Sequence, residues 1–289
     1  MMSMLEGTLS RAWQVRRAHF PDEIVWSIPL DTAVLSLTGS ACALDCAHCG
    51  GIYLRRMKPI WETQPDRSAS CLISGGCDAM GRVPVLAHRD HVRAWRQGRR
   101  MNWHVGLISE TEMAEIADLV DVVSFDFVGD DDTIHEVYGL DRSVEDWVRT
   151  YQMLRRYADT VPHVTIGLRG GRLGHEQAAF RLLEEQGVDR LVLLVFVPTP
   201  GTRYADREPP SPEATAELIA EARVRFPTAD LTLGCMRPHG AYRDRLDELA
   251  VQAGVNGIVS PSRRAQQAAL ALGLVPRTRQ ECCVFESPA

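Results

Sequence analysis

Short runs of apolar and β-branched residues alternate along the chain with segments of helical periodicity. Runs such as "HVTIGL" and "RLVLLVFV" are typical of strands that are buried on both faces. Eight strand-like runs are found, at residues 33–39, 71–76, 102–108, 121–127, 163–168, 190–197, 230–235 and 257–262. Eight strands that alternate with helices predict an α/β fold with a parallel sheet.

The segments between these runs predict amphipathic helices. Residues 112–120 and 144–158 carry apolar residues at the spacing of one helix face. The segment 211–226 opens with Ser211 as N-cap and Pro212 at the first helical position. We therefore expect a single (β/α)8 TIM-type barrel that is full or nearly closed. A doubly wound open sheet is the alternative.

The rest of the chain frames this barrel. Residues 1–32 are predicted to form an N-terminal lead-in helix and cap, and residues 33–275 the barrel itself. Residues 276–289 form a cysteine-containing C-terminal tail that we expect to fold over the barrel mouth. In such barrels the chemistry lies on loops at the carboxyl ends of the strands, where the polar, Gly-rich and Cys-rich stretches of this sequence occur.

Charge and hydropathy limit the partners. The 289 residues carry a net charge of −6, which argues against a nucleic-acid partner. The N-terminal segment lacks the apolar core of a signal peptide, and the longest apolar run, residues 191–198, is too short to span a bilayer. These features predict a cytoplasmic protein that does not associate with a membrane.

Eight cysteines in such a compartment indicate metal binding or redox chemistry rather than disulfides. Cys42, Cys46 and Cys49 form a C-x3-C-x2-C pattern directly after the first predicted strand. A structural zinc site uses four protein ligands, and an iron–sulfur cube is usually held by four cysteines. Three cysteines would leave one iron open, which suits a cluster that binds a substrate.

The stretch "CALDCAHC" resembles the C-x3-C-x-Φ-C signature of the radical S-adenosylmethionine (SAM) superfamily. The resemblance implies that Cys42, Cys46 and Cys49 hold a [4Fe–4S] cluster whose open iron chelates the amine and carboxylate of SAM. Reduction by one electron then yields a 5′-deoxyadenosyl radical. His48 stands where the family usually has an aromatic residue that packs on adenine, and an imidazole can also stack.

The segment Ser74, Gly75 and Gly76 resembles the family's glycine-rich stretch, whose backbone meets the methionyl amine of SAM. Glycine suits such a place because a side chain would block close approach. A tight turn after the strand is the alternative explanation.

Three further loops extend the resemblance. Asp126 is a candidate to hold the ribose hydroxyls or a substrate group, or else is an exposed acid. Arg169 is a candidate partner of the SAM carboxylate, with a structural ion pair as the alternative. The resemblance implies that the loop with Pro200 and Gly201 passes backbone contacts to adenine; a plain proline-stiffened turn is the alternative.

The remaining cysteines suggest a second, auxiliary [4Fe–4S] cluster, although scattered structural thiols are the alternative. Cys71 is the weaker of the two cysteines in its strand region, since 71 and 77 share a face only if the strand continues unbroken. The candidate ligands are Cys71, Cys77, Cys235, Cys282 and Cys283, completed by Ser260 or Ser262.

Residues 36–57, 71–84 and 234–240 resemble one group of biotin-synthase-like proteins, which act in pairs as a two-component lipoyl synthase. The resemblance implies insertion of sulfur into an octanoyl chain on a lipoyl-carrier protein, with the auxiliary cluster as the sulfur source. It also implies a second related radical SAM protein and a reductase or ferredoxin as electron donor. The N-terminal C-x4-C-x5-C motif of single-chain lipoyl synthases is not in this sequence, nor is the "YCPQ"-like loop of biotin synthase.

Two other functions remain open from the sequence. One is a radical SAM enzyme with a single cluster, either biotin-synthase-like or a carbon-skeleton mutase. The other is an iron–sulfur or zinc scaffold without catalysis of its own. Iron content and SAM cleavage separate these from a sulfur-inserting enzyme.

Overall fold

A computed structural model describes residues 4–285 of the chain. It is built on one curled, all-parallel sheet with helices along its outer face. The strands are β1 (Glu23–Ser27), β2 (Thr32–Ser36), β3 (Lys58–Pro59), β4 (Ser70–Ser74), β5 (Arg100–Trp103), β6 (Val122–Asp126), β7 (Asp159–Ile166), β8 (Arg190–Val195), β9 (Asp230–Leu233), β10 (Gly257–Val259) and β11 (Val275–Arg279).

Most connections between strands are helical, as the sequence predicts. The α-helices are α1 (Met4–His19), α2 (Arg89–Arg96), α3 (Glu110–Ile116), α4 (Asp131–Thr133), α5 (Val144–Leu154), α6 (His175–Gln186), α7 (Pro212–Arg225), α8 (Ala241–Gln252) and α9 (Arg263–Ala271). Short 3₁₀ segments cover Ile52–Arg56, Ile60–Glu62 and Ala117–Leu119, and a π-helical turn, Ile134–Tyr138, continues α4. The predicted cap of α7 is confirmed, since the Ser211 hydroxyl accepts a hydrogen bond from the Ala214 backbone at 3.1 Å.

The strand order is β11-β1-β10-β9-β8-β7-β6-β5-β4-β2-β3. The α/β class and the parallel sheet are therefore confirmed, and each of the eight predicted runs overlaps one strand from the set β2 and β4 to β10. Eight strands and a closed barrel are not confirmed. The sheet has eleven strands in the described part of the chain, and its edge strands β11 and β3 do not pair there, so it forms an open, half-barrel-like curl.

Two of the additional strands lie in the predicted lead-in and tail. In the lead-in, β1 pairs with β10 on one side and with β11 on the other, in the register Glu23↔Val275. After β11 the chain turns into the lumen of the curled sheet, where Val284 and Phe285 pack with Val122 and neighbouring valines. Residues 1–3 and 286–289, which belong to the predicted lead-in and tail, lie outside the described residues.

Alternation along the strands sorts side chains into two layers. Val123 and Phe125 of β6 join the large apolar core between the sheet and the helices. Ser124, between them, points the other way and donates from its hydroxyl to the Asn102 side chain at 2.8 Å. The inner face of the sheet is therefore partly polar. Along residues 4–285, no helix has the length and apolar character needed to cross a membrane.

Candidate functional site

The loop after β2 folds Cys46 and Cys49 onto one tight turn. The Cys46 carbonyl accepts hydrogen bonds from the backbone N–H groups of Cys49 at 3.1 Å and Gly50 at 2.9 Å. Gly50 and Gly51 adopt positive φ angles of 46° and 68°, a conformation that glycine adopts at little cost. The sequence "HCGG" therefore reverses the chain immediately after the third cysteine.

This turn brings the Cys46 and Cys49 thiols into hydrogen-bond contact, with the Cys42 thiol nearby. A hydrogen bond with the Cys49 sulfur, together with burial and the nearby thiols of Cys42 and Cys77, raises the pKa of Cys46. The same hydrogen bond, received by Cys49, lowers the pKa of Cys49. Thiols this close together cannot all ionise readily, because their negative charges repel one another. A positively charged iron centre would neutralise that repulsion, and thiolates are the ligands of iron–sulfur clusters. The three predicted ligands therefore fit a cluster.

Within residues 4–285 no three His, Cys, Asp or Glu side chains surround a point closely enough to hold a single metal ion. A cubic cluster does not require that arrangement, because each cysteine binds a different iron of the cube.

Gly76 lies directly against the cysteine loop. A Cβ atom at this position would be 1.9 Å from the Ala41 carbonyl oxygen and 2.6 Å from the Cys42 Cα. The Gly76 N–H donates to the Thr38 hydroxyl at 2.7 Å, and that hydroxyl donates to the Ala41 carbonyl at 2.8 Å. Gly76 therefore approaches the cysteine loop closely, whereas the sequence predicts a close approach to SAM. Contact of Ser74, Gly75 or Gly76 with SAM stays a prediction.

Cys77 follows on the same segment and also faces the cysteine loop. Its carbonyl accepts a hydrogen bond from the Ala43 N–H at 2.8 Å and lies 3.9 Å from the Cys42 sulfur. Burial, and then the neighbouring thiol of Cys42, raise the pKa of Cys77 to about 12. The structure therefore groups Cys77 with Cys42, Cys46 and Cys49.

His48 faces the same space beside Tyr138. The two rings meet edge to face with centroids 5.8 Å apart, and the His48 Nδ1 atom is buried with no hydrogen-bond partner in the described chain. Burial lowers the pKa of His48 to about 4, so the imidazole is neutral at pH 7. A neutral ring with an unused nitrogen fits the predicted stacking against adenine, which stays a prediction.

Asp126 ends β6 and lies among histidines on the inner face of the sheet. Its carboxylate is 3.9 Å from the His104 Nδ1 atom, and the His104 and His163 rings meet at 5.7 Å. Burial by itself would raise the pKa of Asp126, but pairing with His104 and the nearby His163 outweigh burial and lower that pKa. Asp126 is thus an ionised acceptor, as contact with ribose hydroxyls requires.

Arg169 is already paired within the chain. Its guanidinium contacts the Glu136 carboxylate at 2.6 Å and the Asp132 carboxylate at 3.2 Å. Glu136 also accepts hydrogen bonds from Arg172 and from the Tyr204 hydroxyl. The ion pair that the sequence left as an alternative is present, and the predicted contact with the SAM carboxylate would require Arg169 to exchange partners.

The loop that contains Pro200 and Gly201 packs on the cysteine loop. Gly201 has a φ angle of 84°, and a Cβ there would meet Ile52 at 3.5 Å. The Tyr53 and Thr199 hydroxyls are 2.6 Å apart, which ties the two loops together. This position is compatible with the predicted backbone contacts to adenine, and those contacts stay a prediction.

A second group of thiols lies deeper, where the tail enters the lumen. A hydrogen bond from Cys283 lowers the pKa of Cys282 to about 6, and the Cys282 sulfur accepts from the Asn102 side chain at 3.5 Å. Burial, followed by the nearby Cys282 thiol, raises the pKa of Cys235. Cys235 is nevertheless accessible, because the space inside the sheet is open. The structure therefore brings Cys235, Cys282 and Cys283 together.

The other predicted auxiliary ligands lie elsewhere. Cys71 is fully buried in the core between sheet and helices, on the outward face of β4. The Ser262 hydroxyl caps α9 by accepting from the Ala265 N–H at 3.3 Å. Ser260 is accessible at the end of β10 and has an unusual positive φ angle of 48°. The side chains of Cys71 and Ser262 thus have structural roles that would compete with binding a cluster, whereas the Ser260 side chain is accessible.

A buried ion pair holds the loop that carries Cys235. The Arg237 guanidinium contacts the Asp247 carboxylate at 2.6 Å, with both side chains fully buried. It also donates to the carbonyls of Gly234 at 2.7 Å and Val259 at 2.9 Å. Arg237 thereby fixes the end of β9 to the end of β10.

Sequence reasoning missed several residues of the site, including His104, His163 and Tyr138. One of them, His104, carried a signal in the alternation of the buried strands. Asn102 and His104, and likewise Ser124 and Asp126, are polar residues at every second position of otherwise apolar runs. Such a pattern marks the inner face of a curled sheet, since alternate residues share a face.

Comparison with solved structures places this fold among known ones. The chain is similar to methylornithine synthase (PylB), with a TM-score of 0.67 and 16% sequence identity over 97% of this chain and 91% of that chain. It is also similar to the FeFe-hydrogenase maturase HydG from Carboxydothermus hydrogenoformans, with a TM-score of 0.66 and 13% identity over 96% of this chain and 73% of that chain. No protein-family model and no curated protein sequence matches the chain. At these identities the comparison shows a shared fold.

Proposed function

We propose that the protein is a radical SAM enzyme and that Cys42, Cys46 and Cys49 hold its [4Fe–4S] cluster. The observation that carries this proposal is the hydrogen bond between the Cys46 and Cys49 thiols on one turn, with the Cys42 thiol nearby and the Gly76 segment packed against the backbone of Ala41 and Cys42. The fold shared with methylornithine synthase and HydG is the parallel, curled α/β sheet that the radical SAM resemblance implies.

A bound cluster would supply the electron that cleaves the sulfonium of SAM, and the surrounding residues would bind and orient SAM. The neutral His48 ring offers a face or edge to adenine. Asp126, which is held ionised by His104, offers an acceptor to the ribose hydroxyls. Thr38 anchors the Gly76 backbone so that the methionyl end of SAM meets a fixed segment.

We further propose that Cys235, Cys282 and Cys283 hold an auxiliary cluster that supplies sulfur. The hydrogen-bonded thiols of Cys282 and Cys283, with the Cys235 thiol near both, support this assignment, and Ser260 is the candidate fourth ligand because it is accessible. An easily replaced oxygen ligand would help one iron come loose. This assignment narrows the predicted set by leaving out Cys71, which faces the other side of the sheet.

The proposed substrate is an octanoyl chain on a lipoyl-carrier protein. Leu72 and Leu194, half-buried on the inner face of β4 and β8, offer apolar surface for an alkyl chain. The sequence resemblance supports a second related radical SAM protein as partner, each of the two inserting one sulfur, and a reductase or ferredoxin as electron donor.

SAM cleavage tests the first part of the proposal. Anaerobically reconstituted protein, given SAM and dithionite, should form 5′-deoxyadenosine, and the Cys49→Ala variant should form none. A wild-type protein that loads a cluster but releases no 5′-deoxyadenosine would favour the non-catalytic scaffold.

Iron content and product analysis test the second part. The wild type should bind about eight irons per chain, and a Cys235→Ala/Cys282→Ala/Cys283→Ala variant about four. With an octanoylated carrier protein, mass spectrometry should detect one added sulfur from this chain alone and two when the related partner is present. Full conversion to lipoyl by this chain alone would refute the two-component mechanism, and four irons with no sulfur added would favour a single-cluster enzyme.

A further inference from the structure

The fourth thiol at the cysteine loop, Cys77, has no role in the function proposed so far. Of the five cysteines outside the C-x3-C-x2-C pattern, it is the one whose backbone is bonded to that loop, through the Ala43 N–H at 2.8 Å. Cys71, six residues earlier, lies in the outer core. Cys235, Cys282 and Cys283 form their own group inside the lumen. All eight cysteines lie within residues 4–285, and none forms a disulfide.

Backbone contacts with the cysteine loop hold Cys77 in its position. Its carbonyl oxygen lies 3.9 Å from the Cys42 sulfur, and the preceding Gly76 has no room for a side chain against Ala41 and Cys42. The Cys77 thiol is only a few covalent bonds from that carbonyl, so it stays near Cys42. Its electrostatic influence on the pKa values of Cys46 and of the Tyr138 hydroxyl is consistent with a thiol close to these groups.

We propose that the Cys77 thiolate binds the fourth iron of the cluster when SAM is absent, and that SAM displaces it. This inference rests on the proposed function, because it concerns the same cluster. In the exchange, the iron–sulfur bond to Cys77 breaks, and bonds form from that iron to the amine nitrogen and carboxylate oxygen of SAM. To bind as an amine, the α-ammonium group of SAM loses one proton, the released thiolate takes up one proton, and no electron is transferred.

Such an exchange would protect the cluster against loss of its fourth iron and would weaken the apparent affinity for SAM measurably. An iron with a thiolate in place is harder to lose than one that holds only solvent. SAM, however, binds only the molecules in which that iron is free, so the apparent affinity falls by the free fraction. If Cys77 occupies the iron in about nine molecules of ten, apparent SAM affinity is weakened about tenfold.

The test is made on the full-length chain in a Cys235→Ala/Cys282→Ala/Cys283→Ala background, so that one cluster is observed. Cys77→Ala is compared with Cys71→Ala, a cysteine of the same strand region that faces away from the loop. SAM affinity is measured anaerobically by equilibrium dialysis. Loss of the fourth iron after mild ferricyanide oxidation is followed through the [3Fe–4S] signal in electron paramagnetic resonance spectra.

Cys77→Ala should bind SAM about tenfold more tightly than the background protein and should form the [3Fe–4S] signal several times faster without SAM. Cys71→Ala should match the background in both measurements. Cys77→Ser keeps a weaker ligand and the size of the side chain, so its SAM affinity and oxidation rate should lie between those of Cys77→Ala and the background protein. This variant also serves as the test if alanine at residue 77 disturbs the fold.

Mössbauer spectra of the background protein provide a readout that needs no substitution at residue 77. Without SAM, all four irons should show sulfur-only coordination, and SAM should convert one iron to higher coordination. Equal SAM affinity and equal oxidation rates in Cys77→Ala, or an oxygen-coordinated iron already present without SAM, would overturn the inference. If the background protein loads no cluster or does not cleave SAM, the proposed function fails instead.

Discussion

Replacing Gly76 with alanine perturbs the cysteine loop by the smallest possible addition. The new Cβ would lie 1.9 Å from the Ala41 carbonyl oxygen, whereas Cβ contacts below 3.0 Å are essentially never found. One of the two segments must therefore move by about 1.1 Å, the difference between 3.0 and 1.9 Å. No positive φ angle is involved at Gly76, so the effect is steric.

A shift of this size matters more for the cluster than for the fold. Overpacking of this kind costs about 1–3 kcal/mol, which for a chain of this length lowers the melting temperature by about 2–6 °C. Metal–ligand distances are held within about 0.2 Å, several times less than the shift imposed on the residues around Cys42. We therefore expect Gly76→Ala to fold but to bind the first cluster poorly.

The assay is anaerobic reconstitution followed by iron quantification, with thermal unfolding of the apo chain in parallel. Iron should fall from about eight to about four per chain, since the second group of thiols is untouched. Gly7→Ala is the matched control, because its Cβ meets nothing within 4 Å, and it should keep full iron and gain slightly in stability. Wild-type iron content and wild-type SAM cleavage in Gly76→Ala would refute the placement of this segment against the cluster loop.

Three further substitutions test other parts of the structure. Asp247→Asn should destabilise the chain by about 3–5 kcal/mol in denaturant titrations, because it leaves the buried Arg237 unpaired, whereas Glu213→Gln at a surface pair should cost about 1 kcal/mol or less. Burial opposes ionisation of Glu136, but hydrogen bonds from Tyr204 and two arginines outweigh burial and lower the pKa of Glu136 from 4.5 to about 2. The ionised Glu136 therefore stabilises the fold above pH 4.5, and this stabilisation is lost as the pH falls towards 2. Glu136→Gln should therefore be less stable than wild type at pH 7 by about 1 kcal/mol, and denaturant titrations should show that difference shrinking below pH 4.5; a constant difference would contradict the pKa. Asp126→Asn should weaken SAM binding about tenfold with unchanged iron content, and unchanged affinity would remove Asp126 from the SAM site.

Much of the fold was predictable because its strands are local, strongly apolar runs. The strands from β4 to β10 each overlap a predicted run, and the loops between them carry the polar residues. β1 and β11 were missed because they become strands only through pairing with residues distant in the sequence. The strand Glu23–Ser27 becomes part of the sheet only by pairing with β10 and with Val275–Arg279, more than 200 residues away.

The first thiol group was predictable from spacing, while the sorting of the other cysteines was not. Cys71 and Cys77 are close in sequence, but β4 ends at Ser74, so strand alternation no longer relates the two side chains. Cys71 then follows the outer face of β4, and Cys77 follows the course of the Gly76 segment. That course depends on a backbone contact with Ala41, which no local pattern encodes.

The pairing of Arg169 illustrates a similar limit. The sequence shows an arginine in a glycine-rich loop at a strand end, a place where a ligand carboxylate is a reasonable partner. Its partner Glu136 lies 33 residues away on a π-helical turn. Only the packing of the loop after β7 against that turn decides which carboxylate the guanidinium meets.

The central claim is that Cys42, Cys46 and Cys49 together hold a cluster that reductively cleaves SAM. The most direct measurement is 5′-deoxyadenosine formed from SAM and dithionite by anaerobically reconstituted wild type, Cys49→Ala and the outer-core control Cys71→Ala. We expect product from wild type and Cys71→Ala and none from Cys49→Ala. Product from Cys49→Ala at the wild-type rate, or zinc instead of iron bound at this loop in the wild type, would contradict it.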